Sequence, residues 1–161
     1  MKIVRAMKER SRLEGEIKDI KHRMQNCLNA IDGNDYTESY EDLFILFMDR
    51  LGKLTSIKNA VLNANIKGGM FKTILLLGEL KSYLVFLREL DPKVGKQEPS
   101  YRDTVEVYKS QMTVKDKLEV VQKTQKEINR ITDLLDEFNA KTDIGEIEEV
   151  VLPLPKIDCN F

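Results

Sequence analysis

Residues 3–31 read IVRAMKERSRLEGEIKDIKHRMQNCLNAI. Within them Ile3, Ala6, Arg10, Leu13, Ile17, Ile20, Met24, Cys27 and Ile31 recur at alternating steps of three and four. That is a heptad seam, with Arg10 its one charged member, and it predicts a long amphipathic helix over 3–31. Lys, Arg and Glu crowd the flanking positions, as on a solvated helix face. Only Gly15 is a poor helix former, costing about 1 kcal/mol against alanine in an exposed helix interior. The run Asp32 to Asp35, DGND, is a turn signal that ends it.

Working outward, Ser39 and Asp42 supply a hydroxyl and an acid for the start of a second helix over 39–66. Its seam is Tyr40, Phe44, Phe47, Leu51, Leu54, Val61 and Asn65, with Lys58 filling one step; Leu43, Met48, Ile57 and Leu62 widen it. Two long helices joined by a short loop predict an antiparallel, coiled-coil-like hairpin. At 1.5 Å per residue each arm spans about 40 Å.

The second helix closes in NAVLNANIKGGM, residues 59–70. Asn59 and Asn63 share a face, Asn65 sits on the seam, and Gly68 and Gly69 suit a left-handed helix end. This is a helix C-terminus with asparagines bonding nearby backbone, or a polar pocket built on Asn63, Asn65 and Lys67, or a buried asparagine fixing register between subunits.

A third helix over 70–90 carries the stripe Leu76, Leu80, Tyr83, Leu87 and Leu90, while Ile74, Leu75, Leu77, Leu84, Val85 and Phe86 cover much of the rest. A helix this apolar belongs in a core or an oligomer interface, and Gly78 permits close approach by another helix. Asp91-Pro92, Gly95 and Pro99 keep the following linker non-helical. Val105 and Val107 alternate, predicting a short extended segment near 104–112 that needs a strand partner in this chain or another subunit. Thr113 and Asp116 start a last helix over 114–140, with the seam Val114, Leu118, Val121, Gln125, Ile128, Ile131, Leu135 and Phe138. The expectation is an all-α fold: one helical domain over 1–144, assembled as an oligomeric bundle, with 145–161 an extended tail that could lie against a neighbour.

Composition narrows the function. A net charge of -1 argues against a general nucleic-acid binder. The most apolar stretch, residues 70–87, contains Lys72, Glu79 and Lys81, making it a poor membrane span. Charges interrupt every apolar run at the start, so no secretory signal is read there, and Cys27 and Cys159 fit no metal or redox spacing; a cytoplasmic protein is expected. His22, the single histidine, lies on a charged face beside Lys21 and Arg23, and Cys27 lies on the seam, so no catalytic pair is expected. NIKGGMFKT lacks the order of a phosphate-binding loop, and no cofactor or metal pattern occurs. Glu146, Glu148 and Glu149 read as a solvated acidic run. Residues 1–31 carry a balance of plus four and residues 133–149 one of minus six, so these two regions should attract each other.

Three stretches together resemble the septicolysin-like family of small helical bacterial proteins of unknown function: LEGEIKDIKHRMQNC, then IKNAVLNAN, then MTVKDKLEVVQKTQKEINRITDLLDEFNAKTDI. Asn63 and Asn65 match its asparagine-bearing helix end, and Leu118, Ile131, Leu134, Asp136, Asn139 and Thr142 match its last helix. The likeness covers about residues 1–144; GELKSY departs from it where the family tends to carry an arginine-aspartate pair. The resemblance implies a helical, oligomeric protein with no established activity, and only the family's name suggests a cytolysin. The sequence thus predicts a non-enzymatic helical oligomerisation or interaction protein, a homo-oligomer formed through its helical faces. The alternative is a small-ligand-binding protein with a polar pocket at helix ends.

Overall fold

The computed structural model describes residues 1–29, 34–97, 106–150 and 152. Among them the fold is all-α, with four helices and one small hairpin sheet. The helices are α1 (Ile3–Cys27), α2 (Tyr40–Lys67), α3 (Phe71–Glu89) and α4 (Val114–Lys141). Strands β1 (Gly95–Gln97) and β2 (Glu106–Tyr108) pair antiparallel, Lys96 opposite Val107. The extended segment expected near 104–112 therefore finds its partner within this chain. The chain divides into two compact units, Met1–Gly69 with Phe138–Phe161, and Met70–Glu137.

In the first unit α1 and α2 form the expected hairpin. The seam residues Ile3, Ala6, Leu13, Ile17, Ile20 and Cys27 are buried, and Arg10 turns out to solvent to pair with Glu14 at 3.2 Å. Helix α1 stops at Cys27 rather than at residue 31; the turn predicted at Asp32 to Asp35 falls largely outside the described residues. Charged pairs fix the register of the hairpin: Lys58 with Glu14 at 3.2 Å, Arg50 with Glu16 at 2.8 Å, and Arg23 with Glu38. Lys21 lies 5.6 Å from the ring centre of Phe47. Ser39 caps α2 as predicted, its Oγ accepting from the Asp42 amide at 3.3 Å.

One face of α2 departs from the expected seam. Gly52, Ser56, Ala60 and Ala64 are buried at four-residue intervals. Against this file of small residues lies the chain after α4, which runs extended and antiparallel to α2. Thr142 O accepts from Ile3 N at 3.0 Å and Ile144 N donates to Met1 O at 2.8 Å. The Ile144 side chain enters the core with Ile3, Ala6, Leu13, Ala60 and Ala64. Further back along α2, Val150 N donates to Ser56 Oγ at 2.9 Å, and a Cβ on Gly52 would sit 2.7 Å from Val150 O. The arm thus packs on its own chain as far as Val150, because only small side chains leave room for its backbone. At the end of α2, Gly68 makes way for the Phe138 ring, and Gly69 takes φ 72° to close the helix.

In the second unit, Thr113 and Asp116 cap α4 reciprocally: Thr113 N donates to Asp116 Oδ2 at 3.0 Å, and Asp116 N to Thr113 Oγ1 at 3.1 Å. Lys117 Nζ donates to Arg88 O at 2.8 Å and also to Leu90 O, tying the start of α4 to the end of α3. The stripe predicted for α3 is rotated. Leu84 and Leu87 are buried, Leu77 and Leu80 half-buried, whereas Leu76 and Tyr83 are exposed. On α4, Ile128, Ile131 and Leu135 of the predicted seam are buried, joined by Thr124, while Val114 and Leu118 stay exposed. Gln125, the polar seam member, accepts from Arg88 Nη2 at 3.2 Å and donates to Asn129 Oδ1 at 3.0 Å.

Candidate functional site

In the first unit, α2 and the extended arm enclose a cleft of about 600 Å³, a volume within the range of small-molecule sites. Asn59, Asn63 and Lys67 recur every four residues and line it from α2; Thr142, Asp143, Gly145, Glu146 and Glu148 line it from the arm. Lys2 donates to Asp143 Oδ2 at 2.7 Å. Its hydrogen bond and charge, with the chain's first ammonium at 3.6 Å, hold the Asp143 carboxyl below the usual aspartate range. This pair joins the basic beginning of the chain to its acidic stretch, as the charge balance leads one to expect. By contrast, Asn59, Asn63, Lys67, Glu146 and Glu148 make no ion pair or side-chain hydrogen bond among the described residues.

Of the three residues singled out by sequence, the fold brings Asn63 and Lys67 together in the cleft and not Asn65. Two positions along a helix turn a side chain through about 200°, so Asn65 points away from Asn63. It is 9% exposed, and its Oδ1 has no hydrogen-bond partner among the described residues. Sequence reasoning missed the arm's side of the cleft. The signal was present in the small residues spaced by four along α2, which mark where a backbone can approach.

In the second unit, α3 presents an uncovered apolar face. Phe71, Ile74, Leu75, Leu76, Tyr83, Val85 and Phe86 are 37–55% exposed. Tyr83 and Phe86 stack with ring centres 6.4 Å apart. Midway along lie Gly78, with open space around it, and Ser82.

Elsewhere the chemistry is sparse. His22 Nδ1 lies 3.2 Å from Asn26 Nδ2, and the buried Cys27 thiol donates to Met24 O at 3.5 Å, so the two do not engage each other. Among the described residues no group of three or more His, Cys, Asp or Glu could hold a metal ion, and no helix is long and apolar enough to cross a membrane. No protein-family model, curated protein or solved structure matches this chain.

Proposed function

We propose that this chain is a non-enzymatic helical interaction protein that docks another protein helix on the outer face of α3. One observation carries the reading: α3 is apolar on nearly every side, yet only Leu84 and Leu87 of its residues are buried. A helix hydrophobic all round is ordinarily buried all round, and a large uncovered apolar patch marks an interaction surface. The resemblance to the septicolysin-like family, which implies a helical oligomer, leans the same way. In this reading the protein works in the cytoplasm, where Cys27 stays reduced. The test is the double substitution Leu75→Glu with Val85→Glu. On a docking surface it leaves the melting temperature within a few degrees and lowers uptake of an apolar-surface dye. A fall in melting temperature of more than about 10 °C, the mark of buried charge in a core, would refute it.

A second reading rests on the cleft, where Asn63, Lys67, Glu146 and Glu148 stand around one cavity without an ion-pair or side-chain hydrogen-bond partner among the described residues. It is that of a protein binding small polar molecules carrying both charges. A ligand of the folded state raises apparent stability, so a thermal-shift screen of amino acids and other zwitterions tests it, with Lys67→Ala and Glu146→Gln expected to abolish any shift.

A further inference from the structure

Most exposed apolar residues of α3 gather on one side, while Leu76 and Tyr83 lie more than about 100° round from it. Phe71, Leu75, Gly78, Ser82 and Val85 follow one another at steps of four, three, four and three, a single seam along the outer face, with Ile74 and Phe86 on its shoulders. Its centre is the small pair Gly78 and Ser82, one turn apart. Among the described residues nothing lies within 4 Å of where a Gly78 Cβ would be, so none of them accounts for a glycine there. Small residues one turn apart allow two helix backbones to cross closely.

The charges beside that pair are ordered as well. At about 100° per residue, Glu79 and Lys81 fall on opposite flanks of the seam, about 80° to either side of its centre. Both are exposed and neither has an ion-pair partner among the described residues. A two-fold axis parallel to the helix brings the Glu79 flank of one copy beside the Lys81 flank of the other, twice. An antiparallel crossing sets Glu79 against Glu79 and Lys81 against Lys81.

We infer that the occupant of this face is a second copy of the chain, its α3 crossing the first in parallel at Gly78 and Ser82 with reciprocal Glu79–Lys81 pairs. The inference rests on reading the α3 outer face as a docking surface. The area fits a weak contact: with about 200 Å² for a whole aromatic side chain and somewhat less for an aliphatic one, the exposed fractions of Phe71, Ile74, Leu75, Val85 and Phe86 come to about 430 Å² per copy. Two copies then bury about 900 Å², below the size of permanent interfaces and in the range of transient ones, which suits a reversible dimer.

The experiment is light scattering coupled to gel filtration, over a concentration series, on the full chain and four variants. The wild-type chain should pass from one 18.6 kDa mass to twice that mass within the micromolar range. Gly78→Gln, a good helix former with open space in the monomer, should weaken the dimer at least tenfold while keeping the melting temperature. Glu79→Lys and Lys81→Glu should each weaken it several-fold, and the swap of both in one chain should restore it. Single charge variants that leave the dimer unchanged overturn the parallel crossing, since an antiparallel pair repels equally before and after. A dimer indifferent to Gly78→Gln overturns the crossing point. A monomer at all concentrations overturns the second copy as occupant. If that monomer still binds apolar dye through Leu75 and Val85, the docking reading itself survives; if it does not, both fall.

Discussion

Replacing Gly52 with alanine sets two effects of similar size against each other. Alanine inside a helix gains about 1 kcal/mol over glycine. At Gly52, however, the new methyl would lie 2.7 Å from Val150 O, a backbone atom that yields only if the arm moves. Moving it breaks the 2.9 Å hydrogen bond from Val150 N to Ser56 Oγ, worth about 1 kcal/mol net, and crowding a packed site costs about 1–3 kcal/mol. The expected sum for Gly52→Ala is therefore a loss of about 1 to 3 kcal/mol.

Gly15→Ala in α1 is the control, because a Cβ there meets nothing within 4 Å. It should stabilise by the whole propensity gain of about 1 kcal/mol. The assay is denaturant unfolding of both variants, with hydrogen exchange read at the Val150 amide. That amide should exchange faster in Gly52→Ala and unchanged in Gly15→Ala. Equal stabilisation by both alanines, with Val150 still protected, would contradict the claim that glycine is there to admit the arm.

Three further outcomes follow from single contacts. Ser56→Ala should cost about 1 kcal/mol in denaturant unfolding, because it leaves Val150 N without its buried acceptor while the methyl side chain still fits the file of small residues. Asn65→Leu should stabilise by about 1 kcal/mol, since it replaces a buried carbonyl oxygen lacking a partner among the described residues with an apolar group of similar size; a loss instead would reveal a bound water or other partner at Oδ1. Asp143→Asn should flatten part of the acid limb of the melting temperature below about pH 5. The Asp143 carboxyl is held below its ordinary value, chiefly by Lys2. Its contribution is therefore complete above the ordinary aspartate pKa of about 3.9 and fades as pH falls through the lower folded value. An identical pH profile for the variant would show that Lys2 and Asp143 do not hold the arm in place.

Much of this fold was legible because helices and caps are local. The α1 seam needs only the spacing of its apolar residues, and Ser39 and Thr113 need only the acid three positions on. The arm was not legible, because its docking depends on what α2 lacks. Gly52, Ser56, Ala60 and Ala64 weigh little on any apolar count, so a reading that follows large residues passes over the face they form. That Asn59 and Asn63 share a face was legible, the two being four apart. The fate of Asn65 was not, because only the assembled core decides which side of α2 is inside.

Helix α3 marks the remaining limit. With apolar residues on nearly every side, its sequence offers no preferred face, and the stripe through Leu76 and Tyr83 was as good a choice as the one through Leu77, Leu80, Leu84 and Leu87 that the structure turns inward. Tertiary burial settled it, and settled it for the face that carries no charge until Arg88. Glu79 and Lys81 flank the outer side instead. Were that side destined for the interior of a single chain, both charges would have to be desolvated and paired there, at a cost of several kcal/mol each if left alone. On the rim of the proposed two-fold crossing they would keep water on one side and meet an opposite charge on the other, the arrangement in which a polar rim adds specificity to an apolar centre.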